Sequence, residues 1–270
     1  AYNETMEKYD LQPAFNSPLA STIFRLEAMR GRALAGDTPL WLFYDLKATL
    51  HLLESLSSAR IEGNHTTLLE AINLATRADD TPASDQNADD LSSPIPDRPY
   101  FNEDAAEIVN IRHAIAYLET HLNPGDKITP RLIRELHTLT VKGLKRDGSA
   151  TPGAFRKGNV RIAHSRCVVS SPQSIPGDIR ELVDYINAPH APQTDLIRIA
   201  GAHHRFVQIH PFDNGNGRTA RLLTYAMLIT YGFLKHQQTL LNPSSIFCMD
   251  RQRYYKMLAA ADTGSRTALE

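Results

Sequence analysis

The sequence predicts a mainly α protein with one small β-hairpin. Apolar residues recur at helical spacing in one segment after another, from "LASTIFRLEAM" to "MDRQRYYKMLAAAD". Ser, Thr, Asp or Thr-Pro start signals stand before several of these segments, and polar or glycine-bearing joints separate them. Only "TPGAFRKGNVRIA" alternates with a period of two.

In chain order, residues 19–35 and 39–57 carry the first two helical patterns, and "TLLEAINLAT" the third. Residues 77–100 are acidic, polar and proline-bearing, which predicts an exposed loop. "NEDAAEIVNIRHAIAYLETHL" and "TPRLIRELHTLTVKGL" are helical, the second opened by Thr129 as cap and Pro130 in the first turn. The hairpin is expected at about 153–163. "SPQSIPGDIRELVDYINA" runs from a loop into a helix. "TDLIRIAGAHHRFVQIH" places Leu196, Ile199, Ala200 and His203 along one face. "GRTARLLTYAMLITYGFL", starting near Arg218, is the most apolar helix and is expected at the centre. "MDRQRYYKMLAAAD" is the last. There is no internal repeat. The organisation expected is a helical segment at 1–76, the polar loop at 77–100 and one helical core at 101–270.

Composition narrows the function. The 270 residues are 42% hydrophobic and 22% charged with a net charge of −1, so no global field points to nucleic acid or an anionic membrane. Two distant cysteines, Cys167 and Cys248, make neither a disulfide framework nor a metal knuckle. "AYNETMEKYDLQPAF" lacks the pattern of a signal peptide, and "LLTYAMLITYGFL" is too short and too rich in tyrosine to span a bilayer. A cytoplasmic protein is expected. The start without methionine and the end at "TALE" predict a piece of a longer chain.

The chemistry concentrates in "IHPFDNGNGRTARLL", Ile209 to Leu223. A helix ends near His210, a glycine turn follows and a new helix begins. A helix N-terminus offers unpaired N–H donors and partial positive charge. Gly215 and Gly217 tolerate positive φ, and successive amides in such a turn form an anion-binding nest. Arg218 and Arg221, three apart, share a side of the new helix, and each can fork a phosphate. His210, beside the nest, can take a proton from a hydroxyl attacking a bound phosphate. From these residues alone, a simple turn between two helices is the more ordinary reading.

"HPFDNGNGRTAR" resembles the signature of the Fic family, His-x-Phe-x-(Asp/Glu)-Gly-Asn-Gly-Arg-x-x-Arg. "PGAFRKGNVRI" resembles that family's flap hairpin, "RYYKMLAAAD" its Tyr-Tyr helix near the nucleotide, and "SSARIEGN" its inhibitory motif, (Ser/Thr)-x-x-x-Glu-(Gly/Asn). The resemblance spans about 58–262 and implies a Fic-type helical bundle with a β-hairpin flap. It implies a protein adenylyltransferase that moves AMP from ATP to a side-chain hydroxyl of a protein target, or of itself, with Mg²⁺ and release of pyrophosphate. By this similarity His210 is the general base. Gly215, Asn216 and Gly217 hold the α- and β-phosphates, with Thr219 in the same ATP-binding run. Arg218 supports the phosphates, Arg221 takes the γ-phosphate, and Phe212 anchors the loop. Val160, Arg161, Ile162 and Ala163 of the flap hold the target by strand addition. Tyr254 and Tyr255 lie near the nucleotide, although ordinary helix packing explains them as well.

Two positions depart from the pattern. Asn214 stands where an acidic Mg²⁺ ligand is usual. Three readings stand: Asn214 ligates weakly while triphosphate oxygens and water do most of the holding, the favoured one; Asp213 substitutes through a shifted turn; or the site binds nucleotide and catalyses poorly. Asp262 stands where an asparagine often reaches toward adenine, which leaves the base contact at that position open.

Glu62 ends a helical stretch just before Gly63, a natural C-cap. A carboxylate is unfavourable at the negative end of a helix dipole, which suggests a cationic partner; the plain alternative is an exposed glutamate. Ser58 and Glu62, four apart, share a face. The motif resemblance implies that Glu62 pairs with Arg221 and so inhibits the site from within the same chain. His203 and His204, close to His210, form no metal set and read as helix packing. Arg156 either hydrogen-bonds the hairpin base or faces a phosphate. The rival functions are a nucleotide-binding regulatory module impaired by Asn214, and a related enzyme that removes AMP or transfers another phosphate-containing group.

Overall fold

The structure, a computed structural model, describes residues 13–30, 39–79, 102–162, 167–234 and 241–262. Within them the chain forms α1 (Pro18–Arg30), α2 (Leu40–Ile61), α3 (Leu68–Asp79), α4 (Glu103–His121) and α5 (Pro130–Val141). These are followed by α6 (Ile175–Asn187), α7 (Asp195–Ile209), α8 (Asn216–Thr230), α9 (Pro243–Met249) and α10 (Arg251–Ala261), with a 3₁₀ turn at Pro192–Thr194.

Side chains at the joints set the helix limits. The Asn102 and Thr129 side chains accept from the Ala105 and Leu132 amides at 2.8 and 3.1 Å, starting α4 and α5. Asp250 accepts from the Arg253 amide at 2.9 Å and starts α10. Each removes one orphan donor, worth about 1 kcal/mol. At the end of α2, Gly63 takes φ +103°, the Gly63 amide donates to Arg60 O at 3.1 Å and the Asn64 amide to Ala59 O at 3.1 Å. This is a Schellman termination, and it leaves Glu62 on the rim of the helix end.

The centre is α8. Leu222, Leu223, Tyr225, Ala226, Met227 and Ile229 are all buried, and α7, α5 and α4 pack around it. One buried cluster joins Leu52, Leu56 and Ala59 of α2 to Ile111 and Ile115 of α4, Leu136 of α5, Leu182 of α6, Phe206 of α7 and Leu223 of α8. α2 thus shares the core. A second stripe of α2 meets the chain after α8 through polar groups. Asn242 Nδ2 donates to Leu50 O (3.4 Å), the Ser244 amide to Glu54 (2.9 Å) and Tyr255 OH to Ile61 O (3.2 Å); the Ser57 and Ser245 hydroxyls lie 2.9 Å apart. Positions 50, 54, 57 and 61 recur at helical spacing, so the seam runs along the second half of the helix toward Glu62.

Several boundaries differ from expectation. The alternating stretch at 153–162 forms no strand among the described residues, and Ala163 lies outside them. A two-stranded ribbon needs a sheet or a packed face to persist. Here the Ala154 amide turns back to Thr151 O and the Arg156 amide bonds Pro211 O, so the backbone donors serve a loop. α2 continues past 57 to Ile61, and α8 begins at Asn216. α3 runs to Asp79, into the expected loop, whose residues 80–100 lie outside the described ones, as do 31–35 of the first helix. α9 had not been foreseen; seven residues are too few for a helical period to register. No helix among the described residues is long and apolar enough to cross a membrane.

Candidate active site

The turn between α7 and α8 is built from two left-handed residues. His210 caps α7 at φ 48°, ψ 59°, the one non-glycine with positive φ among the described residues. Gly215 precedes α8 at φ 71°. A Cβ on Gly215 would meet Val141 Cγ1 at 2.8 Å, so close packing as well as φ requires glycine there. Between them Phe212 is fully buried. Its ring stacks on His137 with centroids 3.7 Å apart and 3° between planes. His137 Nε2 donates to Asn214 O at 3.1 Å, while its Nδ1 accepts from the Gly153 amide at 2.9 Å. Burial pushes the His137 pKa down to about 4, so the ring is neutral. The Asn216 side chain accepts from the Phe212 amide and donates to the Phe212 carbonyl, both at 2.9 Å, and Thr219 Oγ1 donates to Gly215 O at 2.9 Å. These side chains brace the turn.

A cavity of about 450 Å³ opens at this corner. Its walls are His210, Asn216, Gly217 and Arg221 from the turn and α8, and Arg251, Tyr254, Tyr255, Leu258 and Asp262 from α10 and its end. Arg161, Ile162 and Glu62 complete the lining. The first turn of α8 carries no side-chain cap, so its amides and dipole face the cavity as an anion site.

Arg221 is 2% exposed and its guanidinium is held three ways: Nε to Ser58 Oγ (2.8 Å), Nη2 to Ser58 O (3.0 Å) and Nη2 to Glu62 Oε1 (2.7 Å). Burial works against its charge, but Glu62 and the two tyrosines outweigh it and hold the pKa above the usual value. The Glu62 side chain is 34% exposed yet crowded by protein around the cavity. Burial raises its pKa, but Arg221, then Arg218 and Arg251, lower it by more, and the net shift is down. A Cβ added to Gly217 would stand 2.2 Å from Glu62 Oε1, which places the carboxylate directly over the start of α8.

His210 Nδ1 donates to Val207 O at 3.2 Å, which leaves Nε2 as the basic nitrogen. Burial, with help from Arg156, holds its pKa below the usual value against Val207 O and Glu62, so the ring is a neutral proton acceptor at pH 7. Tyr254 OH lies 2.8 Å from His203 Nε2, and His203 Nδ1 lies 2.9 Å from Thr224 Oγ1. Burial pushes His203 down to about 3 and Tyr254 up to about 12. Asp262 accepts from His204 Nε2 at 3.0 Å and Gln208 Nε2 at 3.2 Å. His203 and His204 therefore serve packing and hydrogen bonding.

Other expected site residues point elsewhere. Arg218 does not line the cavity: its Nη1 lies 2.9 Å from Glu107 Oε1 and its Nη2 donates to Asp147 O at 2.6 Å. Glu107 also accepts from Asn64 Nδ2 at 2.8 Å, which ties the loop after α2 to this pair. Asn214 Oδ1 accepts from the Gly215 amide at 2.7 Å. Asp213 is exposed and turns to the Ala150 and Asn214 amides at 3.3 and 3.0 Å. Neither lines the cavity, and no cluster of metal-binding acids, histidines or cysteines occurs among the described residues. Val160 is half-buried and stands outside the lining. Arg156 donates to carbonyls alone, which settles it as a loop clamp. Sequence reasoning missed Arg251, whose guanidinium lies 5.6 Å from the Tyr255 ring centroid. Its position four residues before Tyr255 on one helix was the available signal. His137 and Glu107 gave no local signal.

Residues 127–228 match the Fic/DOC family. The chain is 30% identical over 163 residues to protein adenylyltransferase fic-1 of Caenorhabditis elegans, covering 58% of this chain and 29% of that protein. It is 30% identical over 167 residues to protein adenylyltransferase Fic of Aedes aegypti, covering 58% and 30%. The chain thus spans under a third of the length of the curated relatives it matches. In fold it is similar to a Fic family protein from Desulfovibrio desulfuricans G20, with TM-score 0.65, 20% identity, and 96% of this chain and 72% of that one covered. It is similar also to a solved fragment of Fic-1 from C. elegans, with TM-score 0.68, 20% identity, and 93% and 66% covered. The matched span holds α5 to α7, the whole signature turn and most of α8, so residues 127–228 form a Fic/DOC domain, and the helical fold agrees over nearly the full chain.

Proposed function

We propose that the chain is a protein adenylyltransferase that transfers AMP from ATP to a side-chain hydroxyl of a protein target and is restrained by its own Glu62. The observation that carries this reading is the Glu62 carboxylate on Arg221, over the uncapped start of α8. A protein anion occupies a place whose amides, dipole and guanidinium suit a phosphate. The names of the similar proteins support the same activity.

In this reading the target hydroxyl enters beside His210. Nε2 takes its proton while the oxygen bonds to the α-phosphorus and the bond to the β-phosphate oxygen breaks, releasing pyrophosphate. The α8 amides and Arg221 neutralise the phosphates once Glu62 has left. Arg218, bonded to Glu107, fixes α8 and does not reach the nucleotide. Among the described residues the protein groups do not compose a Mg²⁺ site: the one neutral oxygen of Asn214 is turned to Gly215 N, and Asp213 to backbone amides. Mg²⁺ enters only as the counter-ion of ATP. The same observation favours a second reading, a nucleotide-binding regulatory module of low turnover.

Intact-mass analysis of Glu62→Gly incubated with MgATP and cell extract tests the first reading. An added AMP on the protein or on an extract protein is expected, and it should vanish in Glu62→Gly/His210→Ala while the thermal transition is kept. ATP binding without any transfer would select the regulatory module.

A further inference from the structure

Arg156 brings a charge into the protein, and among the described residues no carboxylate meets it. It is 5% exposed, and only burial acts on its pKa, downward. Its guanidinium donates to four main-chain carbonyls: Nε to His210 O at 2.7 Å, Nη2 to Ser170 O at 2.6 Å and Ile209 O at 3.4 Å, and Nη1 to Gly158 O at 2.8 Å. Its own amide donates to Pro211 O at 2.9 Å. A buried cation without a counter-ion is unfavourable, so what it holds together is the informative part.

Two of those carbonyls, Ile209 and His210, end α7 and have no partner within the helix. They belong to the residue in left-handed conformation and its neighbour, a conformation that needs outside support for a side chain with a Cβ. The other two, Gly158 and Ser170, lie on either side of Arg161 and Ile162 in the chain, which line the cavity. One rigid, planar fork therefore joins the backbone of the proton acceptor to the wall that faces an incoming target. Arg156 is not itself part of the cavity wall, so its role is not to meet phosphate.

We propose that Arg156 is a positioning residue for the transfer: it holds His210 left-handed and fixes the Arg161–Ile162 wall against it. The proposal rests on His210 being the proton acceptor. It assigns Arg156 to the hydroxyl side of the reaction, whereas Gly217 and Arg221 serve the nucleotide side. The cation also stands close enough to His210 to help keep the imidazole neutral.

The test uses the Glu62→Gly chain as parent with Arg156→Gln and Arg156→Lys added. Arg156→Gln is expected to lower kcat about 10- to 100-fold, since small misplacements of catalytic groups cost that much. The KM for ATP and the calorimetric ATP affinity should stay within about threefold of the parent. Arg156→Lys keeps the charge but not the fork, so it should restore part of kcat. NMR titration of the His210 ring, which needs no turnover, should show a higher pKa in Arg156→Gln than in the parent or in Arg156→Lys.

A loss of ATP affinity parallel to the loss of kcat would overturn the proposal in favour of a phosphate ligand. An unchanged kcat per folded molecule with an unchanged His210 titration would overturn it in favour of a purely structural role. If the parent binds ATP but transfers nothing, the adenylyltransferase reading fails by itself, and the titration still decides whether Arg156 governs His210. If Arg156→Gln does not fold, Arg156→Lys decides by the same kcat, KM and ATP measurements.

Discussion

Glu62 Oε1 accepts from Arg221 Nη2 at 2.7 Å, and Ser58 meets the same guanidinium with its hydroxyl and its carbonyl. The contact joins residues 159 positions apart and sets the carboxylate in the cavity wall over the start of α8. A hydrogen bond to a charged group is worth about 1.5–3 kcal/mol, and a triphosphate seeking Arg221 must displace it.

Glu62→Gly should therefore raise AMP transfer by roughly 10- to 100-fold, since each ~1.4 kcal/mol is a factor of ten. Glu62→Gln should raise it less, because the amide oxygen still accepts from Arg221. Transfer of label from radioactive ATP measures both, and a rate equal to or below that of the unaltered chain in Glu62→Gly would remove the restraint from the reading.

Asn214→Asp adds a charged oxygen at the turn. The Mg²⁺ concentration giving half-maximal transfer in the Glu62→Gly background should fall by about 3- to 10-fold, and the rate should rise. A metal titration of the rate reads this directly. An unchanged titration would show that position 214 takes no part in holding the ion.

The contribution of His137 to stability should be lost as the pH falls from about 6.5 to about 4, while buried Glu54, pushed up to about 7, acts in the opposite direction. His137 is neutral in the fold with its pKa pushed down to about 4, and the unfolded chain protonates near 6.5. Between those values the unfolded state binds more protons, so acid favours it, by on the order of 3 kcal/mol from His137 at pH 4. Buried His203, pushed down to about 3, acts in the same direction. His137→Phe keeps the stack on Phe212 but strands the Gly153 amide and Asn214 O. It should lower stability at pH 7 by about 2 kcal/mol and flatten the slope below pH 6.5. Chemical denaturation across that range measures both effects.

The signature turn was legible because its chemistry is local: His210, Gly215 and Arg221 fall within twelve residues, with periodic helices on either side. Glu62 drew notice as a carboxylate at a helix C-terminus, but only the motif resemblance tied it to Arg221. Arg251, His137 and the Asn64–Glu107–Arg218 chain were not legible, since each acquires meaning only from a partner brought close by folding. The stretch around Arg156 was misread as a strand because alternation does not distinguish a side chain buried in a sheet from one buried as a clamp. Arg218 was drawn toward phosphate by its spacing from Arg221, whereas buried Glu107 offers it a nearer anion.

Gly217 has a wider consequence. A methyl group there would collide with Glu62 Oε1 at 2.2 Å and crowd Arg221 Nη1 at 3.3 Å. On the proposed reading, carboxylate and triphosphate are alternate tenants of one small vacancy, and a side chain at position 217 would crowd the space that both need.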